Sequence, residues 1–353
     1  MVSLADVLRR HGPAYLAAHG AGILPSHRAA IRAVLSCRTP ERGGQLYSCG
    51  PCRELRRVFH SCHHRACPRC GEPETVQWRD AQRLRLLPVR YFLLTFTIPE
   101  ELRAWFRSHQ KPAYNLLFRE AAATLRDLGA NPKWLGAELG FLGVLHTWTR
   151  KLVYHPHIHF LVPGGGLSPD HQRWVEPPDP DFFMPGPVLA ARFRTRLLQA
   201  LRAEPDLEAS VITALRKKRW VVNVQPAGRG EKALDYLAAY VHRTALGSQR
   251  ILADDERGIL FKYQDGETRL WQTQRLAPNE FLRRWLQHVL PRGFIRVRHY
   301  GWLSPAAKGR WNQVLRILLW EPPEPVPEIP APAPLCSRCG KSMILIGTFP
   351  RAP

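Results

Sequence analysis

The chain has 353 residues, with 51 lysines and arginines against 29 aspartates and glutamates, a formal net charge of +22. A hydrophobic fraction of 45% with 23% charged residues supports sizeable cores, which excludes a chain disordered throughout and, with no short repeat, also collagen, coiled coil and mucin. The cationic surplus, mostly arginine, attracts polyanions and points to nucleic acid; a ribosome-like or membrane-surface protein, or an arginine content set by codon usage, is the plainer reading of charge alone.

Residues 3–36 predict two helices, with Leu4, Val7 and Leu8 opening one apolar stripe and Ile23 to Val34 a second. Arg9, Arg10, His11 and Pro13 interrupt the first segment, which therefore does not read as a signal peptide, and no run of about 18 apolar residues offers a membrane span. In a reducing compartment the eight cysteines are expected to be ligands or free thiols rather than disulfides. From Cys37 to Cys70 periodicity gives way to Cys, His, Arg and Gly, the texture of a small module held by metal rather than by a core. Cys49-x-x-Cys52 and Cys67-x-x-Cys70 are each a knuckle that places two thiolates on one metal, and together they predict one tetrahedral four-sulfur zinc site. His60, Cys62, His63 and His64 lie between them, where a replaced ligand or a second site is open; Cys37 reads as a buried free thiol. Arg53, Arg56, Arg57, Arg65 and Arg69 give the module the character of a nucleic-acid contact.

Residues 73–87 read as a basic amphipathic helix, Tyr91 to Ile98 as a strand closed by Pro99, and 100–128 as helical with a break near Lys111-Pro112. Leu139 to Trp148 and His155 to Val162 read as two more strands. In the second, alternation sets His155, His157 and His159 on one face and Ile158 and Phe160 on the other. The apolar continuation through Leu161 and Val162 marks a central strand, and imidazoles on one face of such a strand need a partner. His157 and His159 are therefore the candidate metal ligands, with His155 a lesser one; solvated histidines on an exposed strand are the plainer alternative.

A loop at Gly164–Gly166 and a Pro- and Asp-rich stretch to about 186 precede a helical 187–217, a strand from Trp220 to Val224 and a helix over 231–244. Tyr236 and Tyr240, four apart, share one helix face. Alone the pair reads as core packing, but beside a histidine-held metal in a basic chain each hydroxyl is a candidate nucleophile toward a phosphodiester. Residues 250–273 predict one or two hairpins, 278–290 a helix, and Pro322 to Pro334 a stiff extended linker. Cys336-x-x-Cys339 beyond it supplies only two ligands and receives no function.

Taken together, these residues resemble the double-tyrosine HUH transposases of bacterial rolling-circle insertion sequences, which carry an N-terminal transposase zinc-binding domain. The resemblance runs from about Cys37 to Leu303. It rests on Cys37-Arg-Thr-Pro through Cys67-Pro-Arg-Cys70, on Thr95-Phe-Thr-Ile-Pro99, and on Tyr154-His-Pro-His157-Ile-His159 with Pro163-Gly-Gly-Gly166-Leu167. It continues through Tyr236-Leu-Ala-Ala-Tyr240-Val-His-Arg243, Leu290-Pro-Arg-Gly-Phe and Arg296-Val-Arg-His-Tyr-Gly301. The resemblance implies an α+β fold, with an HUH-nuclease-like central antiparallel sheet flanked by helices and a small N-terminal zinc-binding module. The implied segments are 1–88 as the helical and zinc-binding DNA-recognition module, 89–320 as the catalytic domain, 321–334 as the linker and 335–353 as a short CxxC tail.

The resemblance further implies that His157 and His159 ligate Mg²⁺ or Mn²⁺, that Cys49, Cys52, Cys67 and Cys70 hold structural Zn²⁺, and that Tyr236 and Tyr240 are the catalytic nucleophiles. One DNA strand would be nicked to give a 5′-phosphotyrosine link and a free 3′-OH, and the second tyrosine would serve the next cleavage. The implied partners are the element's ends, single-stranded DNA and target DNA, with no membrane, in the bacterial cytoplasm at the nucleoid. Ala66 stands where family members often have His, and Gln225 where they often have Lys. The third ligand of the catalytic metal is open among His155, Gln225 and Asp235, and an oxygen ligand is expected because imidazoles alone favour metals softer than Mg²⁺. A non-enzymatic zinc-dependent DNA-binding protein accounts for the charge and the cysteines but not for the histidine strand and tyrosine pair, whereas a decayed transposase copy would keep all of these motifs without the activity. A small-substrate hydrolase accounts for His157 and His159 but not for the charge or the zinc module.

Overall fold

The structure is a computed structural model that describes residues 2–241, 245–266, 268–325 and 332–351. His242 and Arg243 of the tyrosine motif, and positions 326–331 of the expected linker, lie outside the described residues. The chain divides into two compact units, one of Met1–Thr75, His242–Val289 and Pro325–Pro353, the other of Val76–Val241 and Leu290–Glu324.

Ser3 starts helix α1 (Leu4–His19) through a capping box, its hydroxyl accepting from the Asp6 amide at 3.2 Å and its amide donating to the Asp6 carboxylate at 2.9 Å. Helix α2 (Pro25–Ser36) opens on a proline, which lacks only a donor that position does not use. The cysteine-rich stretch contains an antiparallel hairpin, β1 (Gly44–Ser48) and β2 (Leu55–Phe59), which its sequence did not announce because both strands are short and mostly half-buried or exposed. Helix α3 (Gly71–Arg83) follows, then β3 (Tyr91–Thr97), α4 (Arg103–Ser108) and α5 (Gln110–Ala130). The helix break falls at His109 rather than at Lys111-Pro112, since Pro112 sits in the first turn of α5, where amides have no intrahelical acceptor.

Next come β4 (Phe141–Trp148), β5 (Tyr154–Pro163), the short strands β6 (Gly166–Leu167) and β7 (Trp174–Val175), α6 (Gly186–Leu201) and α7 (Ala209–Lys217). The last two divide the expected helix over 187–217, and Pro205 lies in the segment between them. The chain continues through β8 (Val222–Pro226), α8 (Glu231–Val241), β9 (Ile251–Asp255), β10 (Gly258–Gln264), β11 (Trp271–Leu276), α9 (Pro278–Leu286), β12 (Val297–Tyr300), α10 (Lys308–Ile317) and β13 (Ile344–Phe349).

The first unit contains two antiparallel three-stranded sheets, ordered β13-β1-β2 and β11-β10-β9. The second sheet rests on α9, with the buried Phe261 and Phe281 rings 6.1 Å apart. It is tied to α1 by His11, whose Nε2 lies 2.7 Å from the Asp254 carboxylate, and by Arg10, which donates to the Asp254 carbonyl at 2.9 Å. The 242–289 segment and the C-terminal tail are grouped with the N-terminal residues in this unit.

The second unit is built on a five-stranded sheet ordered β12-β4-β5-β3-β8, antiparallel throughout. Phe92, Leu94, Phe96, Ile158, Phe160 and Val162 face one side, against Tyr114, Leu117 and Phe118 of α5 and Phe193 and Leu197 of α6. Tyr91, Leu142, Val144 and Leu161 face the other, against Ala233, Leu234, Leu237 and Val241 of α8. The chain is thus α+β, with antiparallel sheets flanked by helices. Burial of Leu234 and Leu237 contributes about 1.5–3 kcal/mol each toward seating α8, an upper bound because the unfolded chain already hides some apolar area.

Candidate active site and cysteine clusters

The period-two pleat of β5 turns Ile158 and Phe160 into the larger core and His157, His159 and Leu161 toward the α8 side. Antiparallel pairing then sets His146 of β4 directly across from His157. One ligand nitrogen from each of His146, His157 and His159 lies within 4.8 Å of the others. The ring centroids are 4.3 Å apart for His146 and His159, 4.9 Å for His157 and His159, and 5.1 Å for His146 and His157.

His146 was not singled out from the sequence. Its signal was its place in the expected strand 139–148, one hairpin away from the His-x-His pair. The three residues considered for the third ligand are engaged elsewhere or face outward. The His155 ring sits 2.9 Å from an Arg103 guanidinium nitrogen, Asp235 accepts from Arg83 at 2.8 and 3.0 Å, and Gln225 is exposed on β8. The donor that the structure brings beside the pair is the imidazole of His146.

Burial holds all three histidines neutral at ordinary pH. It lowers His157 to about 4 and pushes His146 and His159 well below the usual histidine range, with the neighbouring imidazoles adding to the effect on those two. His157 Nδ1 lies 2.6 Å from the His155 carbonyl, which can only accept, so its Nε2 keeps a lone pair. Thr95 Oγ1 holds His159 Nδ1 at 2.9 Å, the outer contact that fixes a ligating ring. Nε2 of His146 and of His159 is buried without a hydrogen-bond partner among the described residues. Such an orphaned nitrogen costs about 1–3 kcal/mol, and two converging on one point fit a bound cation.

Helix α8 brings both tyrosines to this triad. Gly230 precedes it with φ +89°, and a Cβ there would stand 2.9 Å from the Tyr91 ring, so glycine lets the helix start close against β3. At the other end the buried Arg296 donates to the carbonyls of Tyr240 at 2.6 Å and Val241 at 3.2 Å, placing a cation where the helix dipole is negative. The Tyr240 ring stacks on His146, with centroids 4.0 Å apart and planes at 25°. Tyr236 stands edge-on to His159 at 5.5 Å and 86°, its ring 5.0 Å from that of Tyr240, and it is 37% exposed.

The cysteines do not form the single site expected from the two N-terminal CxxC pairs. Cys67 and Cys70 gather with Cys37 and Cys62, while Cys49 and Cys52 gather with Cys336 and Cys339. Within each set the four sulfurs lie within 4.8 Å of one another. Cys37–Cys70 is 3.5 Å, Cys62–Cys70 3.6 Å and Cys49–Cys339 3.6 Å. Four thiolates on a tetrahedral zinc, about 2.3 Å from each sulfur, stand about 3.8 Å apart, so both sets suit that ion. The pairing differs for a topological reason: the first knuckle is the turn of the β1–β2 hairpin and the second lies beyond β2, so the strand carries them apart and each meets cysteines that no spacing rule connects to it. Cys37, read as a free thiol, and the tail pair, left without function, are both members of these sets.

Comparison with known proteins gives the family of the chain. Residues 7–98 match the family described as transposase zinc-binding domain, and residues 140–310 match the family described as putative transposase. These two matches define the class, a transposase with an N-terminal zinc-binding domain. The chain is 39% identical over 322 residues to the putative transposase y4qJ of Sinorhizobium fredii (strain NBRC 101917 / NGR234), covering 85% of this chain and 80% of that one. It is 28% identical over 317 residues to the transposase for insertion sequence element IS801 of Pseudomonas savastanoi pv. phaseolicola, covering 85% and 76%. The chain belongs to this family of insertion-sequence transposases, as the motif resemblance implied. No solved structure matches it. Among the described residues no helix is long and apolar enough to cross a membrane.

Proposed function

We propose that this transposase nicks and rejoins single DNA strands through a 5′-phosphotyrosine intermediate during rolling-circle-type transposition, on an HUH-nuclease scaffold in the bacterial cytoplasm. The observation that carries the proposal is the meeting of three neutral imidazoles and two tyrosines on one side of the central sheet. In each cleavage a tyrosine Oη attacks the scissile phosphorus. The Oη–P bond forms, the P–O3′ bond breaks, the phenol proton is lost, and the departing 3′ oxygen takes up a proton to leave a free 3′-OH. The ester keeps the energy of the broken bond for the return attack by a 3′-OH.

His146, His157 and His159 would hold the cation. Mg²⁺ or Mn²⁺ bound there supplies Lewis-acid polarisation of a non-bridging phosphate oxygen, and an all-nitrogen donor set favours Mn²⁺ of the two. The protein residues do the rest. Thr95 and the His155 carbonyl set the ring orientations, Arg296 and Gly230 set the position of α8, and the arginine-rich surface binds the phosphate backbone. Two nucleophiles on adjacent turns allow two DNA ends to be held in succession. The N-terminal zinc-binding module, with Arg53, Arg56, Arg57, Arg65 and Arg69, is suited to recognising element ends.

The test is incubation with single-stranded DNA carrying the element's ends and Mn²⁺ or Mg²⁺, followed by a denaturing gel. A covalent protein–DNA adduct is expected from the wild type and from neither preparation of the Tyr236→Phe/Tyr240→Phe double variant nor of His157→Ala. Tight DNA binding without an adduct on authentic ends would replace this proposal with a zinc-dependent DNA-binding protein.

A further inference from the structure

The family's zinc-binding match ends at residue 98, yet half of the second four-cysteine set comes from the opposite end of the chain. The two knuckles of this set are built alike. In the first, the Cys49 amide donates to the Glu54 carbonyl at 2.9 Å and the Arg53 amide donates to the Cys49 carbonyl at 2.7 Å. In the second, the Cys336 amide donates to the Lys341 carbonyl at 2.8 Å and the Gly340 amide donates to the Cys336 carbonyl at 2.9 Å. The residue after the second cysteine is left-handed in both, Arg53 at φ 54° and Gly340 at φ 69°. Two turns of one geometry, facing each other across four sulfurs, form a ribbon-type metal centre whose halves are 284 residues apart in sequence, counted from Cys52 to Cys336.

The flanking strands run out from this centre. Cys49 directly follows β1 and Met343 directly precedes β13, and these strands pair antiparallel from Ser48–Ile344 to Gly44–Phe349. At the far end, Gly44 leaves room for the rings of Phe349 and Phe59 to meet edge-to-face at 5.8 Å. At the near end, Arg56 donates to the Leu335 carbonyl at 2.9 Å and Ser337 to the Glu54 carboxylate at 2.5 Å. Burial contributes little. Ile344, Leu345 and Ile346 are 64%, 48% and 54% exposed, and apart from the Phe349–Phe59 contact the apolar packing described here is a small cluster of Cys49, Cys336 and Met343 with Tyr47 and Cys52 around it. A strand with so little apolar burial needs another source of free energy, and metal ligation is the one its cysteines offer.

We infer that Cys49, Cys52, Cys336 and Cys339 bind a second structural zinc ion that fastens the C-terminal tail onto the N-terminal module. The four thiols lose their protons on ligation; the two turns carry Arg53, Arg338 and Lys341 in sequence, and the Glu54 carboxylate, which now accepts from Cys336 Sγ at 3.1 Å, keeps Ser337 as a donor. The tail is then a structural part of the zinc-binding module, supplying half of one of its two centres. This inference is independent of the cleavage chemistry.

Metal analysis of the purified full chain tests it. The wild type should carry two zinc ions per chain, Cys336→Ser/Cys339→Ser one, and Cys37→Ser/Cys62→Ser one. One zinc in the wild type, two retained in the tail variant, or iron in place of zinc overturns the inference. A second measurement needs no cysteine substitution. A protease site placed between Pro325 and Pro332 is cut after folding, and the products are separated by size exclusion. The tail fragment should co-elute with the body and dissociate on adding a zinc chelator. A fragment that leaves while both zinc ions remain, or that stays after both are stripped, overturns the inference as well.

Discussion

His146 and His159 each present a buried Nε2 with no protein partner among the described residues, and Thr95 holds the other nitrogen of His159. If these nitrogens share a cation, His146→Ala should abolish adduct formation as fully as His157→Ala while leaving DNA affinity unchanged, because arginine–phosphate contacts carry binding. Adduct formation by His146→Ala at the wild-type rate would remove it from the ligand set. Thr95→Val keeps the volume and removes the outer hydrogen bond, and should lower the cleavage rate about 10–100-fold. Tyr236 is a third exposed, so Tyr236→Phe should change stability by no more than about 0.5 kcal/mol while strand transfer falls sharply. A large drop in melting temperature would instead mark the hydroxyl as structural.

Helix α8 is the element that makes a site of these residues. The apolar face of Ala233, Leu234, Leu237 and Val241 fixes its rotation, Gly230 its approach to β3, and Arg296 its C-terminal end. Gly230→Ala meets both a left-handed φ and the Tyr91 ring, and should destabilise the protein by about 1–3 kcal/mol and depress strand transfer. Thermal unfolding and the adduct assay, run together, check both parts; an unchanged melting temperature would show that the helix start accommodates a side chain. Much at this scale was legible. The two-residue repeat of β5 and the four-residue step of Tyr236 to Tyr240 are properties of backbone geometry, readable without a fold. The β1–β2 hairpin, β12, α10 and β13 were not read as elements, because short, half-exposed segments carry too few apolar residues for a period to show.

Over the whole molecule, each unit holds a half-buried histidine that lies outside the candidate metal sites. Burial lowers His27 in the first unit and His299 in the second to about 4, with Arg85 adding to the effect on His299. An unfolded histidine titrates near 6.5, so between about 6.5 and 4 the unfolded chain binds more protons than the folded one. Stability should therefore fall as pH falls through that window, and these groups should add no further loss below about 4. Thiolate protonation acts in the same direction, so the informative comparison is His299→Gln, whose melting temperature should decline less steeply from pH 7 to pH 4. Parallel curves for variant and wild type would show that His299 does not contribute.

The sequence by itself supplied most of the candidate donors and both candidate nucleophiles. Its CxxC knuckles, His-x-His strand, paired tyrosines and cationic surplus are local patterns whose spacing the backbone converts directly into shared faces. Only the tertiary structure decided which donors meet. His146 joins His157 through the register of an antiparallel pair, Cys67 and Cys70 join Cys37 and Cys62 across a hairpin, and Cys49 and Cys52 join cysteines from the far end of the chain. The physical reason is that a local spacing is set by the φ and ψ values of a few residues, whereas a long-range partner is selected by strand register and burial summed over many.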